Sequence, residues 1–77
     1  MDEYKTKDIF EASWLYSQDM PLLRLDPDSR YFWFVFSNLS KCKLMSNAYW
    51  TNAAEGKIKR FVDSLKTLKD LVFSRKT

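Results

Sequence analysis

Histidine is missing from this 77-residue chain, and with it go the commonest general base and the commonest zinc ligand. A single cysteine, Cys42, leaves no internal disulfide and no cysteine-based zinc site. One glycine and two prolines exclude collagen-like, linker-like and turn-dense all-β chains. One glycine is also too few for a phosphate-cradling loop. No apolar run approaches the roughly 18 residues that a membrane helix requires, and the opening MDEYKTKD is not a secretory signal. These absences predict a small soluble cytoplasmic domain without cofactor, metal, membrane anchor or small-molecule substrate. An enzyme is the class with least support.

What is present is apolar and aromatic. Hydrophobic residues make up 45% of the chain and aromatics 17%, with six Phe, four Tyr and three Trp. That supplies a core and argues against disorder. The length accommodates a single domain, 1–77. Charge is unevenly spread: residues 1–38 carry four basic groups against seven acidic, whereas 39–77 carry nine against three. This asymmetry fits attraction between the halves of one fold, or an anionic partner for the C-terminal half.

The first periodic segment predicts a helix near Lys7–Gln18, capped by Thr6 or by Asp8 with Glu11 at capping-box spacing. Its apolar residues form two stripes, Ile9–Ala12–Tyr16 and Phe10–Trp14, so it is expected to be clasped from two sides. Pro21 ends it. A hairpin over 22–36 follows, with Leu22–Leu25 as one strand and the β-formers Tyr31–Phe36 as the other. Asp26–Pro27 suits a type I turn in a five-residue loop, 26–30. The second strand is apolar on both faces, with Tyr31, Trp33 and Val35 on one and Phe32, Phe34 and Phe36 on the other. Both faces need cover.

Ser37 or Asn38 caps a helix over 39–50, with Leu39, Cys42, Met45 and Tyr49 as its apolar stripe and Lys41, Lys43 and Asn47 outside. A last helix runs over about 55–73, capped by Asn52 with Glu55, or starts at Lys57. Its face is Ile58, Phe61, Val62, Leu65, Leu68 and Val72. With Ile58 at zero, about 100° per residue places Lys69 inside this arc and Leu71 on the polar side. Lys69 is then expected to snorkel or to pair with an acid. The order helix, strand, strand, helix, helix predicts an α+β fold, an antiparallel hairpin packed against helices.

Thr6–Lys7–Asp8 opening a helix with Ala12 and Leu15 in it, the strand FWFVFSN (32–38) and the closing run LKTLKDLVFS (65–74) carry a resemblance. The chain resembles a small prokaryotic domain-of-unknown-function family found in bacterial, archaeal and mobile-element proteins. The resemblance implies a compact domain and supplies no catalytic residue and no activity.

Candidate chemistry is sparse. Asp26 and Asp28 flank Pro27, where a turn role outweighs metal binding. Cys42 on an apolar stripe reads as an inert buried thiol. Two functions remain. The first is a non-enzymatic protein-interaction module, a homodimer or an accessory subunit of another protein, with Leu22, Arg24, Tyr31, Trp33, Val35 and Leu71 as candidate interface residues. Self-association through the hairpin is expected because Tyr31–Phe36 has one evident partner strand, leaving an open edge on it or on Leu22–Leu25, so that two copies could pair edges or stack hairpin faces. The alternative is a nucleic-acid-binding accessory protein using Lys57, Lys59, Arg60, Lys66, Arg75 and Lys76. The aromatic strand lacks interleaved basic residues and reads as core before it reads as a base-stacking platform.

Overall fold

Among the described residues six segments follow in order: β1 (Glu3–Thr6), α1 (Ile9–Ser17), β2 (Leu22–Asp28), β3 (Tyr31–Ser37), α2 (Leu39–Trp50) and α3 (Ile58–Lys76). The structure, a computed structural model, describes residues 2–76. The α+β class is as expected, but a strand comes first. No helix among the described residues is long and apolar enough to cross a membrane.

The antiparallel sheet has the order β1-β3-β2, with β3 in the middle. Tyr4 lies opposite Phe36 and Thr6 opposite Phe34 on one side of β3. Leu22 and Leu25 face the same two phenylalanines from the other side. The expectation of an open edge on Tyr31–Phe36 is therefore corrected: β1 fills it.

The hairpin is tighter than expected. Asp26, Pro27 and Asp28 continue the strand opposite Trp33, Phe32 and Tyr31, leaving a two-residue turn at Ser29–Arg30. Ser29 takes a positive φ of 58°, the sign a type II′ turn requires at its first position and one that suits strand twist. Proline is tolerated because β2 is an edge strand. The five-residue type I loop over 26–30 is therefore corrected. An irregularity between Leu22 and Arg24 skips Leu23 and puts Arg24 beside Val35.

Side chains alternate across the pleat. Tyr4, Leu22, Leu25, Phe32, Phe34 and Phe36 join the core with Ala12, Leu15, Met20, Met45, Cys42, Leu68, Leu71 and Val72 from the helical side. All three helices thus cover one face, and the molecule measures only 18 Å along its shortest axis, as two layers about 10 Å apart require.

Local chemistry sets the helix ends. Asp8 caps α1, its carboxylate accepting from the Phe10 and Glu11 amides at 2.8 and 3.0 Å. Asn38 caps α2 from the left-handed region, its side chain accepting from the Lys41 amide. The α2 stripe matches expectation, with Ser46 added to its buried positions.

Two helix faces differ from the sequence reading. In α1 the buried residues are Glu11, Ala12, Ser13, Leu15 and Ser17, while Phe10 and Tyr16 are exposed. The cause is close packing of α1 along α3 through small side chains, with Ser64 buried on the α3 side. The serine hydroxyls are satisfied on their own helix, Ser13 donating to the Ile9 carbonyl and Ser17 to that of Trp14, both at 2.7 Å. In α3 the inward arc is Phe61, Ser64, Leu65, Leu68, Leu71 and Val72. It centres about 80° from Ile58 on the helical wheel, so Ile58 lies outside it. Lys69 is consequently exposed, and Leu71 packs against the core rather than on the polar side. The expected Asn52–Glu55 cap is also corrected: residues 51–57 are irregular, and an added Cβ at Gly56 would lie 3.0 Å from the Trp14 ring.

Candidate binding surfaces

The sheet face without helices is covered by charge. Arg24 binds Glu3 through two hydrogen bonds of 2.9 and 3.0 Å and reaches Asp26 at 2.9 Å. Lys5 approaches the other Asp26 oxygen at 3.7 Å. Lys7 lies 3.6 Å from Asp28 and stands over the Tyr31 and Trp33 rings, 5.1 and 4.7 Å from their centroids. Trp33 donates its indole N–H to Asp28. Beneath Lys5 and Arg24, which flank it in register, Val35 is fully buried. Lysine and arginine stems cover apolar surface while their heads stay wet. The hydrogen bond from Arg24 holds the Glu3 carboxyl below its ordinary range and, with that to Asp26, raises the Arg24 guanidinium further. Asp26 and Asp28 are therefore ion-pair partners, and the turn role expected for them is corrected.

This layout divides the candidate interface residues. Leu22 and Leu71 are half-buried against the core, and Val35 is sealed under the charges, which corrects its place among the contact residues. Arg24, Tyr31 and Trp33 do lie on the open face, engaged as described.

Below the sheet, Glu11 turns inward. The Asp8 amide donates to the Thr6 hydroxyl at 3.1 Å, and Thr6 donates to Glu11 at 2.7 Å. Thr6 thus stands where a capping box would place the glutamate itself. The other carboxylate oxygen accepts from Tyr4 and Ser46, and Tyr4 also reaches Ser46 at 2.9 Å. Glu11 is only 4% exposed, and no buried side-chain polar atom among the described residues lacks a partner. Burial and the Glu11 hydrogen bond push the Tyr4 hydroxyl pKa up. Burial and the Glu11 charge do the same to the Cys42 thiol, which is the reverse of thiol activation. Among the described residues no three Cys, Asp or Glu side chains gather to hold a metal.

The six candidate nucleic-acid residues are all exposed. Lys59 pairs with Asp63 and Arg60 with Asp19, at 3.1 and 2.9 Å; the other four have no ion pair among the described residues. On the wheel they point in directions spread over most of the circumference of α3, so the fold does not bring them to one face.

It does gather another set. Ile58, Val62 and Phe73 are 81%, 45% and 69% exposed. At about 100° per residue they share one arc of roughly 80° with Lys66, Lys69 and Lys76. This apolar-basic stripe runs the length of α3, and a cleft adjoins each end. The cleft at the start, about 260 Å³, has Trp14, Tyr49 and Phe61 in its wall beside Ile58. The cleft at the end, about 160 Å³, has a floor of Ile9, Phe32, Phe34 and Val72 and a rim of Lys7, Arg30, Tyr31 and Lys76. The sequence signal was present in Ile58, Val62 and Phe73, but assigning Ile58 and Val62 to the core concealed it.

No family model, curated protein or solved structure matches the chain, so the roles of these surfaces rest on their geometry.

Proposed function

We propose that this is a non-enzymatic protein-interaction module, an accessory subunit that binds another protein through the outer flank of α3. The observation that carries this reading is the stripe Ile58, Val62 and Phe73, exposed between lysines on one rigid element. Large apolar side chains grouped on one face favour a protein contact over solvent. Self-pairing through this flank would set Lys66, Lys69 and Lys76 against their own copies, and like charges across an interface cost affinity. A partner with acidic residues around apolar ones fits better.

The test compares affinity capture from the producing cells by the native chain and by an Ile58→Ser, Val62→Ser, Phe73→Ser variant. All three positions are exposed, so the variant keeps its fold, checked by circular dichroism. Partners lost with the variant support the reading; an unchanged set refutes it.

The nucleic-acid alternative draws on Lys57, Lys59, Arg60, Lys66, Arg75 and Lys76, all exposed, with only Lys59 and Arg60 in ion pairs among the described residues. It requires binding to generic DNA or RNA that weakens steeply with salt and is abolished by replacing Lys59, Arg60 and Lys66 with Ser.

A further inference from the structure

The cleft at the C-terminal end of α3 differs from the other in its charge. Its floor is apolar, and its rim carries cations from three separate segments: Lys7 before α1, Arg30 in the hairpin turn and Lys76 near the end of α3. Lys7 is already engaged by Asp28 and two rings. Arg30 and Lys76 have no anionic partner among the described residues, so this part of the rim is electrostatically unfilled. The volume of about 160 Å³ is close to the roughly 150 Å³ cavity known to take one benzene ring. That is room for one phenylalanine or leucine side chain, and too little for a larger cofactor, whose pockets begin at about 300 Å³.

From this geometry we infer that the cleft is the anchor site for an acidic segment of a partner protein, taking one apolar side chain between flanking aspartates or glutamates. The inference rests on the reading of the molecule as a protein-interaction module and names the partner chemistry at one end of its surface. The apolar side chain covers Phe32, Phe34 and Val72, and the flanking carboxylates meet the Arg30 guanidinium and the Lys76 ammonium. Arginine suits this role because its planar fork donates two parallel N–H hydrogen bonds to a carboxylate. Lys76 also sits on the arc that carries Ile58 and Lys69, so a segment anchored here continues along the proposed α3 contact.

The probe is a fluorescein-labelled peptide with blocked termini, Glu-Asp-Phe-Asp-Glu, titrated with the full chain and read by anisotropy. Amide chemical shifts of the labelled protein locate the contact. Saturable binding is expected, with shifts at Arg30, Tyr31, Val72 and Lys76. The Arg30→Glu, Lys76→Glu double variant should bind about tenfold more weakly or worse, as should a peptide with Ala in place of Phe. Both substitutions are at exposed positions, and an unchanged circular dichroism spectrum confirms the fold. Binding that the double variant retains in full would overturn the assignment, as would the absence of saturable binding. Shifts confined to Ile58, Val62 and Phe73 would also overturn it while leaving the α3 reading intact. That reading fails separately, in the capture experiment.

Discussion

Replacing Glu11 with Gln keeps the size of the side chain and removes one acceptor oxygen from a closed cluster. Three hydroxyl protons, from Tyr4, Thr6 and Ser46, end on the two carboxylate oxygens. An amide offers one oxygen and adds two protons of its own. With the oxygen toward Thr6, the NH2 group donates to Tyr4 and Ser46, Tyr4 donates to Ser46, and the Ser46 proton loses its acceptor. With the amide reversed, the NH2 group donates to Thr6 and the Thr6 proton loses its acceptor instead. Either way one buried hydroxyl is orphaned, which costs about 1–3 kcal/mol. The total stability of a 77-residue domain is roughly 4–12 kcal/mol, so the loss is large in proportion. It corresponds to a melting temperature lower by roughly 4–8 °C per kcal/mol. Glu11→Leu removes both acceptor oxygens; Tyr4 can still donate to Ser46, but the Thr6 and Ser46 protons are both orphaned, so it should be worse. Thermal unfolding followed by far-ultraviolet circular dichroism measures both. A Glu11→Gln variant that melts with the native protein would refute the argument, since it would show that the cluster does not depend on two acceptor oxygens.

Other expectations follow from the same geometry. Phe34→Ala should cost about 3–5 kcal/mol in urea unfolding, the usual range for a buried aromatic. Trp33→Ala, on the charged face, should cost only roughly 1–2 kcal/mol, through its lysine contact and its bond to Asp28; equal losses would show that both faces are core. Tyr4 has its pKa raised in the fold, so its stabilising contribution is full below the unfolded value of about 10 and is lost as pH rises from there through the higher folded-state value. Tyr49, raised chiefly by burial, adds to the same alkaline loss. Urea midpoints taken from neutral to alkaline pH should therefore fall, and less steeply for Tyr4→Phe.

How far the sequence foretold this molecule depends on how each element is specified. The bounds of α2 match because Asn38 and the stripe Leu39, Cys42, Met45 and Tyr49 are local signals that tertiary packing does not override. The hairpin strands were legible from β-formers, but the turn was not. Asp26 and Pro27 favour a turn locally, yet cross-strand pairing and the ion pairs to Lys5 and Arg24 keep them extended. The four-residue β1 is too short for its alternation of Tyr4 and Thr6 with Glu3 and Lys5 to stand out. In α1, Ala12 is buried and Ile9 and Trp14 pack against the core as expected, but Phe10 and Tyr16 are exposed, because serines that bond to their own helix can be buried as readily as small apolar residues. The cleft beside Lys76 was beyond reach, since its walls come from residues 7–9, 30–34 and 72–76, which only the fold brings together.

Self-association looks different once β1 is in place. The case for a hairpin dimer rested on an open edge of Tyr31–Phe36 or of Leu22–Leu25, or on stacked hairpin faces, and the β3 edge is filled. The remaining edges belong to β1, four residues long, and to β2, which carries Pro27 and the irregularity at Leu23. Short edge strands, prolines and bulges are the devices that discourage edge-to-edge pairing. Stacking through the open sheet face is no easier. Glu3, Lys5, Arg24, Asp26, Lys7 and Asp28 already neutralise one another there, and burying them would strip solvent from charges without supplying new partners. The α3 flank remains, and its lysines repel a second copy. A monomer at micromolar concentration is therefore expected in sedimentation velocity, at low and at moderate salt. A dimer that strengthens as salt screens the lysines would place the self-contact on α3. A dimer that Arg24→Ala dissolves would place it on the sheet, and either result would overturn the accessory-subunit reading in favour of a homodimer.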